Sequence, residues 1–522
     1  MRIGFSSLYS WRPLVQHLYY LATLARKGGH ETFFLTCDAD LPTCYTREMR
    51  NRPAWRECLE CRLGGIRSFT GHNIASIGKY TSAAEPVPRE WASSSASTLG
   101  RFESDADYAT PEFARLESRL YPAAQLGYHA AREWIREHRL DAVCVYNGRV
   151  DATRGIFEAA KSLGVRVLSV ERALFGDGLQ LYPDENCLGL QSLHSLVTAW
   201  RDRPLTRLQA RRAASHIARR FTRTNVNEWR AYNTNAQSVS WPVPSAKRRI
   251  LLTPSSRNEV WGHPDWAAQW PDATVAYDEL IKHLQLSPED VVLRCHPNWS
   301  ENIGAAGGQF SERHYADWAK RAGVLCIPAA ERASTLSLIE QCDAVVVANG
   351  SAALEAGLLG KQVIGLAPSM YQHAGLRDEA GTPEDMARLR LLVELDSQEQ
   401  EQRRRIIARQ TLRFCYSIIY RVPQYTRFVK TQTTTSYRYD IEADPQRLID
   451  LLRTGTLTAD DATGAADTLG EDEVLNLVRE RKWGELVAAP EDEAGRTLTP
   501  IRRRLLARPI DLISNWKPVG DR

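Results

Sequence analysis

The stretch Asp343–Pro368, DAVVVANGSAALEAGLLGKQVIGLAP, constrains the fold of this chain more than any other. Ala344–Ala348 is a β-branched run of the kind that a strand covered on both faces requires. Asn349-Gly350-Ser351 has turn chemistry and a hydroxyl suited to capping a helix. Ala352–Leu359 favours helix, Gly360 supplies a C-terminal stop, and Val363–Leu366 returns as the next strand. The predicted helix opens with Ser351 and unpaired N–H groups at the C-terminal end of a sheet strand. Such an opening suits phosphate, because it offers free donors, the positive end of the helix dipole and a hydroxyl. The same unit also occurs where nothing binds, so the turn alone leaves a phosphate site and plain architecture both open.

Its surroundings favour a site. Val291–His296 reads as a strand ending in His296-Pro297-Asn298, and Arg249–Thr253 as one ending in Pro254-Ser255-Ser256. Three polar strand ends can line one edge of one sheet. Earlier in the chain, Arg2–Ser6, Trp11–Lys27 and Glu31–Thr36 read as a βαβ unit. Residues 38–110 are expected to be an irregular insertion over the domain surface that contributes to an acceptor site. Pro111–Glu137 reads as a helix, and Asp141–Tyr146 as a buried strand running into Asn147-Gly148-Arg149. Asp151–Leu163 reads as a helix and Val165–Val170 as a strand, with Glu171 and Arg172 just past its end. This alternation implies an α/β fold with a parallel, doubly wound sheet. A basic helix over Arg207–Arg223 precedes a linker at Pro242–Lys247. A second Rossmann-like domain follows, with strands expected near 250, 292, 324, 345 and 364. The expected division is residues 1–245, 246–395 and 396–522, the last holding helices over Gln398–Val422 and Pro445–Arg453.

Among 522 residues, 43% are hydrophobic and 25% charged, which are globular values. A net charge of +4 is too small to imply nucleic acid as the partner. No apolar run is long enough to span a bilayer, and Arg2–Ser6 enters a strand without a leader, so the expected location is the cytoplasm. Ten cysteines are scattered thinly, except for Cys37, Cys44, Cys58 and Cys61. Their 6, 13 and 2 intervening residues match no common zinc finger. Ordinary thiols, a metal or iron–sulfur site and a redox pair all stay open.

The second half resembles the bacterial capsule polysaccharide biosynthesis proteins, a family that includes transferases using Kdo as the donor sugar. The matching pieces are RCHPN (294–298), the run from Ser334 to Val347, NGSAALEAGLLGKQVIGL (349–366) and Tyr371. YNGR (146–149) and VER (170–172) extend the resemblance into the first half, so that it covers about residues 140–376. Two positions depart from the family pattern: Ala352, where a second hydroxyl is usual, and Ala173, where glycine is usual.

The resemblance implies a GT-B glycosyltransferase, with two Rossmann-like domains facing a cleft, a nucleotide-sugar donor such as CMP-Kdo on the second, and a saccharide or lipid-linked acceptor on the first. Ser351 and the N–H groups of Ala352 and Ala353 would then stabilise the leaving phosphate. Asn349, His296, Ser255, Ser256 and Tyr371 would stand around it, and Glu355 would accept from ribose hydroxyls. On the first domain Glu171 is the expected base, with Asp151, Asp177 and Asp184 behind it. Arg172 would pair with an acidic sugar, and Asn147 and Arg149 would border the acceptor. Each residue also has a structural reading: His296 as a fixed neighbour of Pro297, Ser255 and Ser256 as caps, Glu355 as a solvated helix face, Glu171 and Arg172 as an ion pair. No D-x-D signature stands in a suitable loop, so neither a catalytic divalent ion nor any other cofactor is expected. A nucleotide-sugar 2-epimerase and a non-catalytic assembly partner are the alternatives on the same fold. The terminal stretch Arg502–Trp516 mixes arginines with Leu505, Leu506, Ile510, Leu512, Ile513 and Trp516, and suits weak, salt-sensitive membrane contact.

Overall fold

The computed structural model describes residues 1–80, 85–225, 228, 233, 235–303, 306–488 and 498–511. β1 (Arg2–Ser6) leads through α1 (Leu14–Lys27) to β2 (Glu31–Thr36). The insertion expected to be irregular is instead built from short elements: α2 (Tyr45–Arg50), α3 (Ala54–Gly64), β3 (Ile74–Ser76), α4 (Ser93–Gly100) and α5 (Asp105–Tyr108). Local capping makes some of them possible, as in the reciprocal Ser104–Asp107 box that opens α5. α6 (Pro111–His138), β4 (Ala142–Tyr146), α7 (Asp151–Ser162), β5 (Arg166–Arg172) and β6 (Leu179–Pro183) complete the first domain. β1 to β5 are parallel, β6 returns antiparallel, and the order is β3-β2-β1-β4-β5-β6. β4 is buried along its whole length, as a strand covered by helices on both faces must be.

α8 (Gln191–Trp200) and α9 (Arg207–Phe221) lead to the second domain. Its elements are β7 (Ile250–Thr253), α10 (Ala273–His283), β8 (Val291–Arg294), the small hairpin of β9 (Asn302–Ile303) and β10 (Ala306–Gly307), α11 (Gln309–Ala322), β11 (Leu325–Ile327) and α12 (Thr335–Gln341). β12 (Ala344–Val347), α13 (Ala352–Leu358), β13 (Gln362–Gly365), β14 (Asp378–Glu379) and α14 (Pro383–Arg388) follow. All six sheet strands are parallel, in the order β11-β8-β7-β12-β13-β14. Counted within its own domain, each sheet therefore runs 3-2-1-4-5-6, the doubly wound order. The order reverses between β1 and β4 in one and between β7 and β12 in the other, so a crevice opens at the C-terminal ends of those strands. Alternation along β12 splits its side chains between two cores. Val345 and Val347 join the large core that also holds the first domain, whereas Ala344 and Val346 pack with Tyr277 and Trp318.

The rest of the chain crosses back over both domains. α15 (Ser397–Tyr416) continues as a π-helical turn over Ser417–Arg421 and packs on α13 and α9. The hairpin of β15 (Val429–Thr433) and β16 (Ser436–Tyr439), with α16 (Gln446–Thr454), lies on the first domain, where Tyr439 and His17 Nδ1 hydrogen-bond at 3.0 Å. α17 (Leu469–Arg479) and α18 (Trp483–Val487) cover α9. Glu471, fully buried, accepts from Arg413 at 2.7 and 2.8 Å and from the Leu205 N–H at 2.8 Å.

Candidate active site between the two domains

The C-terminal edges of the two sheets face each other. Arg149, just past β4, donates from Nη1 to the carbonyl oxygen of Glu259, in the loop after β7, at 2.7 Å. The same Nη1 donates to Ser94 Oγ of α4 at 3.0 Å. α4 bridges the gap, since Ser97 Oγ donates to the Asn258 carbonyl at 3.0 Å. Beside it, the buried carboxylate of Glu103 accepts from the Arg257 N–H at 3.0 Å, Asn258 Nδ2 at 2.8 Å and Ser311 Oγ at 2.7 Å. Burial pushes the Glu103 carboxyl up to about 7, against the pull of these donors.

On the second-domain side the crevice holds the turn after β12. The Asn349 N–H reaches towards Ser255 Oγ at 3.5 Å, and a Cβ on Gly350 would stand 3.2 Å from that oxygen, so glycine lets the turn close on Ser255. Ser351 opens α13 with its side chain exposed and not capping. Among the described residues, the N–H groups of Gly350, Ser351 and Ala352 have no hydrogen-bond partner. Beneath the turn, buried Tyr371 donates to the carbonyls of Ala348 and Gly350 at 3.4 and 3.3 Å, and burial raises its phenol. Ser256 faces inward, accepting from Trp299 Nε1 at 2.9 Å and so fixing the loop after β8. Half-buried His296 caps that loop, its Nδ1 accepting from the Asn298 N–H at 3.2 Å.

Glu355 stands elsewhere. α13 buries every residue from Ala353 to Leu358, which leaves no solvated face, and the Glu355 carboxylate pairs with Arg220 of α9. Arg220 also holds Glu228 at 3.0 Å. Burial raises the Glu355 carboxyl, and nearby Arg220 opposes the rise. The ion pair turns this side chain towards the covering helices.

On the first-domain side, Glu171 and Arg172 are the last two residues of β5 rather than lying past it. The antiparallel return of β6 extends the strand, pairing Glu171 with Gln180 and Arg172 with Leu179. Consecutive strand residues point to opposite faces. Glu171 lies in the neighbourhood of Tyr146 and Asn147, whose side chain hydrogen-bonds to it, whereas Arg172 lies within electrostatic reach of His17; Tyr437 lies within reach of both. Burial raises the Glu171 carboxyl above the ordinary carboxylate range, against the pull of Arg172. Asn147 adopts a left-handed conformation with φ 63°, and its Oδ1 also accepts from the Arg149 N–H at 2.8 Å.

The other three carboxylates do not join Glu171. Asp151 is fully buried and accepts from Tyr9 OH at 2.8 Å, the Tyr45 N–H at 2.8 Å and the Ala152 N–H at 2.7 Å. Asp177 anchors β15, accepting from Lys430 Nζ at 3.0 Å and the Thr431 N–H at 2.9 Å. Asp184 pairs with Arg166 at the opposite end of β5 from the crevice. Cys37, Cys44, Cys58 and Cys61 line one cavity, and burial raises the thiols of Cys37, Cys44 and Cys61, the last to about 12. Sequence reasoning missed Glu103 and Asn258, because single polar residues in a loop carry no period or spacing. The insertion over residues 38–110, expected to contribute to an acceptor site, supplies α4, the helix spanning the gap.

Two Rossmann-like domains with facing crevices define the GT-B arrangement. No family model matches the chain, and no curated protein matches it in sequence. Among solved structures, it is similar to a KpsC β-Kdo 2,4-transferase of Thermosulfurimonas dismutans, at 13% identity over 67% of this chain and 88% of the other, with a TM-score of 0.33. MurG of Acinetobacter baumannii is 11% identical over 87% of this chain and 99% of its own, with a TM-score of 0.28. A UDP-GlcNAc 2-epimerase of Neisseria meningitidis bound to UDP-GlcNAc is 13% identical over 80% of this chain and 98% of its own, with a TM-score of 0.24. These likenesses are distant, and the fold assignment rests on the strand orders.

Proposed function

We propose that the chain is a glycosyltransferase that moves a sugar from a nucleotide-activated donor to a saccharide or lipid-linked acceptor. The observation that carries this reading is the turn Asn349-Gly350-Ser351. Together with Ala352 at the start of α13 it offers, among the described residues, three unpartnered N–H groups and a free hydroxyl at the switch point of one sheet, opposite the edge of the other sheet that carries Glu171. As the bond from the anomeric carbon to the nucleotide phosphate breaks, negative charge grows on the phosphate, and donors already in place stabilise it. Ser351 Oγ and the N–H groups of Gly350, Ser351 and Ala352 take that role, with Ser255 and Tyr371 holding the turn. His296, past the end of β8 and one strand beyond β7, reaches the phosphate or sugar with its second ring nitrogen.

Glu171 accepts the proton of the attacking acceptor hydroxyl, and Asn147 orients it. Arg149 holds the two crevices in register. Asp151, Asp177, Asp184 and Glu355 have structural roles in this reading, and Arg172, turned to the other face, is not assigned to the sugar. A donor of the CMP-Kdo kind follows from the motif resemblance. Incubating the purified chain with CMP-, UDP- and GDP-sugars and candidate saccharides, followed by mass spectrometry, tests the proposal. Transfer of a hexose- or Kdo-sized mass to an acceptor supports it. An epimerised donor without acceptor dependence, or no binding of any nucleotide, overturns it.

A further inference from the structure

α3 is turned inside out. An amphipathic helix ordinarily buries its apolar stripe. Here Trp55, Leu59 and Leu63 face outward, 72%, 52% and 49% exposed, while Glu57 is buried and Cys58 and Cys61 are half-buried against the domain. The inner face of α3 forms one wall of a small cavity. Cys37, in the turn after β2, and Cys44, at the N-cap of α2, line the same cavity. Four of the chain's ten cysteines thus meet from three separate segments, and all four are free thiols. Of the carboxylates at the cavity, Asp38 is held by Arg67 at 2.5 Å, whereas Glu57 pairs with Arg50 at 2.5 Å through one oxygen and leaves its buried Oε2 without a hydrogen bond. The soft donors there are the four sulfurs, with Glu57 Oε2, Arg47 and Arg62 also on the lining.

We propose that Cys37, Cys44, Cys58 and Cys61 hold an iron–sulfur cluster through four thiolates. Among the described residues no three His, Cys, Asp or Glu side chains are set to share a single ion. A cluster spreads its thiolate ligands over several iron atoms, so it suits thiols that surround a cavity without converging on one point. Binding releases the four thiol protons, and the arginines of the lining offset the charge of the thiolate set. The cluster would also supply what α3 lacks, an inward anchor in place of an apolar stripe. This inference is independent of the transferase reading.

The test is to purify the full chain anaerobically and measure iron, acid-labile sulfide, zinc and visible absorption. The expected result is iron and sulfide in equal amounts with a sulfur-to-iron charge-transfer band. Cys37→Ser and Cys61→Ser should lose the band, and Cys326→Ser, outside the cavity, should keep it. Should the variants fail to fold, the wild-type chain, stripped by chelator and oxidant and its thiols re-reduced with dithiothreitol, should regain the band on adding ferric iron and sulfide under anaerobic conditions. A chain that binds zinc alone, or that takes up no iron in reconstitution, overturns the proposal.

Discussion

Glu103, from the first half of the chain, accepts the side-chain N–H of Asn258, from the second, across 2.8 Å. The carboxyl is fully buried, and burial raises it from the ordinary 4.5 to about 7. The unfolded chain therefore ionises this group before the folded one does. Below about 4.5 both states are protonated and the contribution is fully present; as pH rises to about 7 it is lost. The lost contribution is on the order of 3 kcal/mol at most, by the free-energy equivalent of each pKa unit. Glu103→Gln cannot ionise and should flatten this part of the Tm–pH profile. Thermal unfolding of both proteins across the window checks it, and parallel profiles would remove Glu103 from this role.

The donor turn makes a prediction about affinity. Ser351→Ala removes one hydroxyl from a charged ligand and should weaken nucleotide binding by about 1–3 kcal/mol, as should His296→Ala. Gly350→Val should weaken it at least as much, because a side chain there presses on Ser255 Oγ, 3.2 Å from the Cβ position. Calorimetric titration with the donor nucleotide gives the answer. Unaltered affinity in all three variants, with unchanged melting, would place the nucleotide elsewhere.

Glu171→Gln keeps the shape of the side chain and its contact with Asn147 but removes the proposed base. Turnover should fall by two or more orders of magnitude, within the usual range for general-base loss, while donor affinity stays near wild type. Because burial raises this carboxyl, the acid limb of the wild-type rate profile should lie above the ordinary carboxylate range. A rate that stays level down through that range would show that another group takes the proton.

Much of this was legible in the chain, for identifiable reasons. Strands such as Ala344–Val347 and Ala142–Tyr146 are short, fully buried and bounded by turn residues, so they announce themselves locally. The turn at Ser351 was visible for the same reason. What stayed hidden depends on packing from afar. β6 lengthens β5 and moves Glu171 and Arg172 into the sheet, and the return of α15 and α17 over α9 removes the solvent from α13. α3 was hidden by its inverted faces, since an outward Trp55, Leu59 and Leu63 do not point to a core.

Glu355 separates binding from stability. Glu355→Ala leaves Arg220 buried with Glu228 as its remaining carboxylate, and breaking one partner of a buried pair costs roughly 3–5 kcal/mol. Chemical unfolding should show that loss, and nucleotide titration of the folded variant should show none. A large fall in affinity with normal stability would return Glu355 to the ribose.

The outer face of α3 also bears on where a transferase with a lipid-linked acceptor would work. Trp55, Leu59 and Leu63 lie one turn apart on it, and the C-terminal segment runs alongside, where Arg503 Nη1 donates to the Gly64 carbonyl at 2.9 Å. That contact brings up Leu505 and Leu506, 73% and 95% exposed, with Arg502, Arg504 and Arg508 exposed around them. Leu512, Ile513 and Trp516 lie outside the described residues. Among the described residues no helix is long and apolar enough to cross a membrane. Apolar side chains ringed by arginines instead suit the surface of an anionic bilayer, where each arginine contributes about 1 kcal/mol and salt weakens the attraction. The chain should float with vesicles containing anionic lipid at low salt and be released as salt rises. Replacing Leu505 and Leu506 by serine should reduce flotation, and replacing Trp55, Leu59 and Leu63 as well should abolish it, with unchanged circular dichroism. Flotation that is equal in all three proteins, or absent from the wild type, would show that this face meets water only.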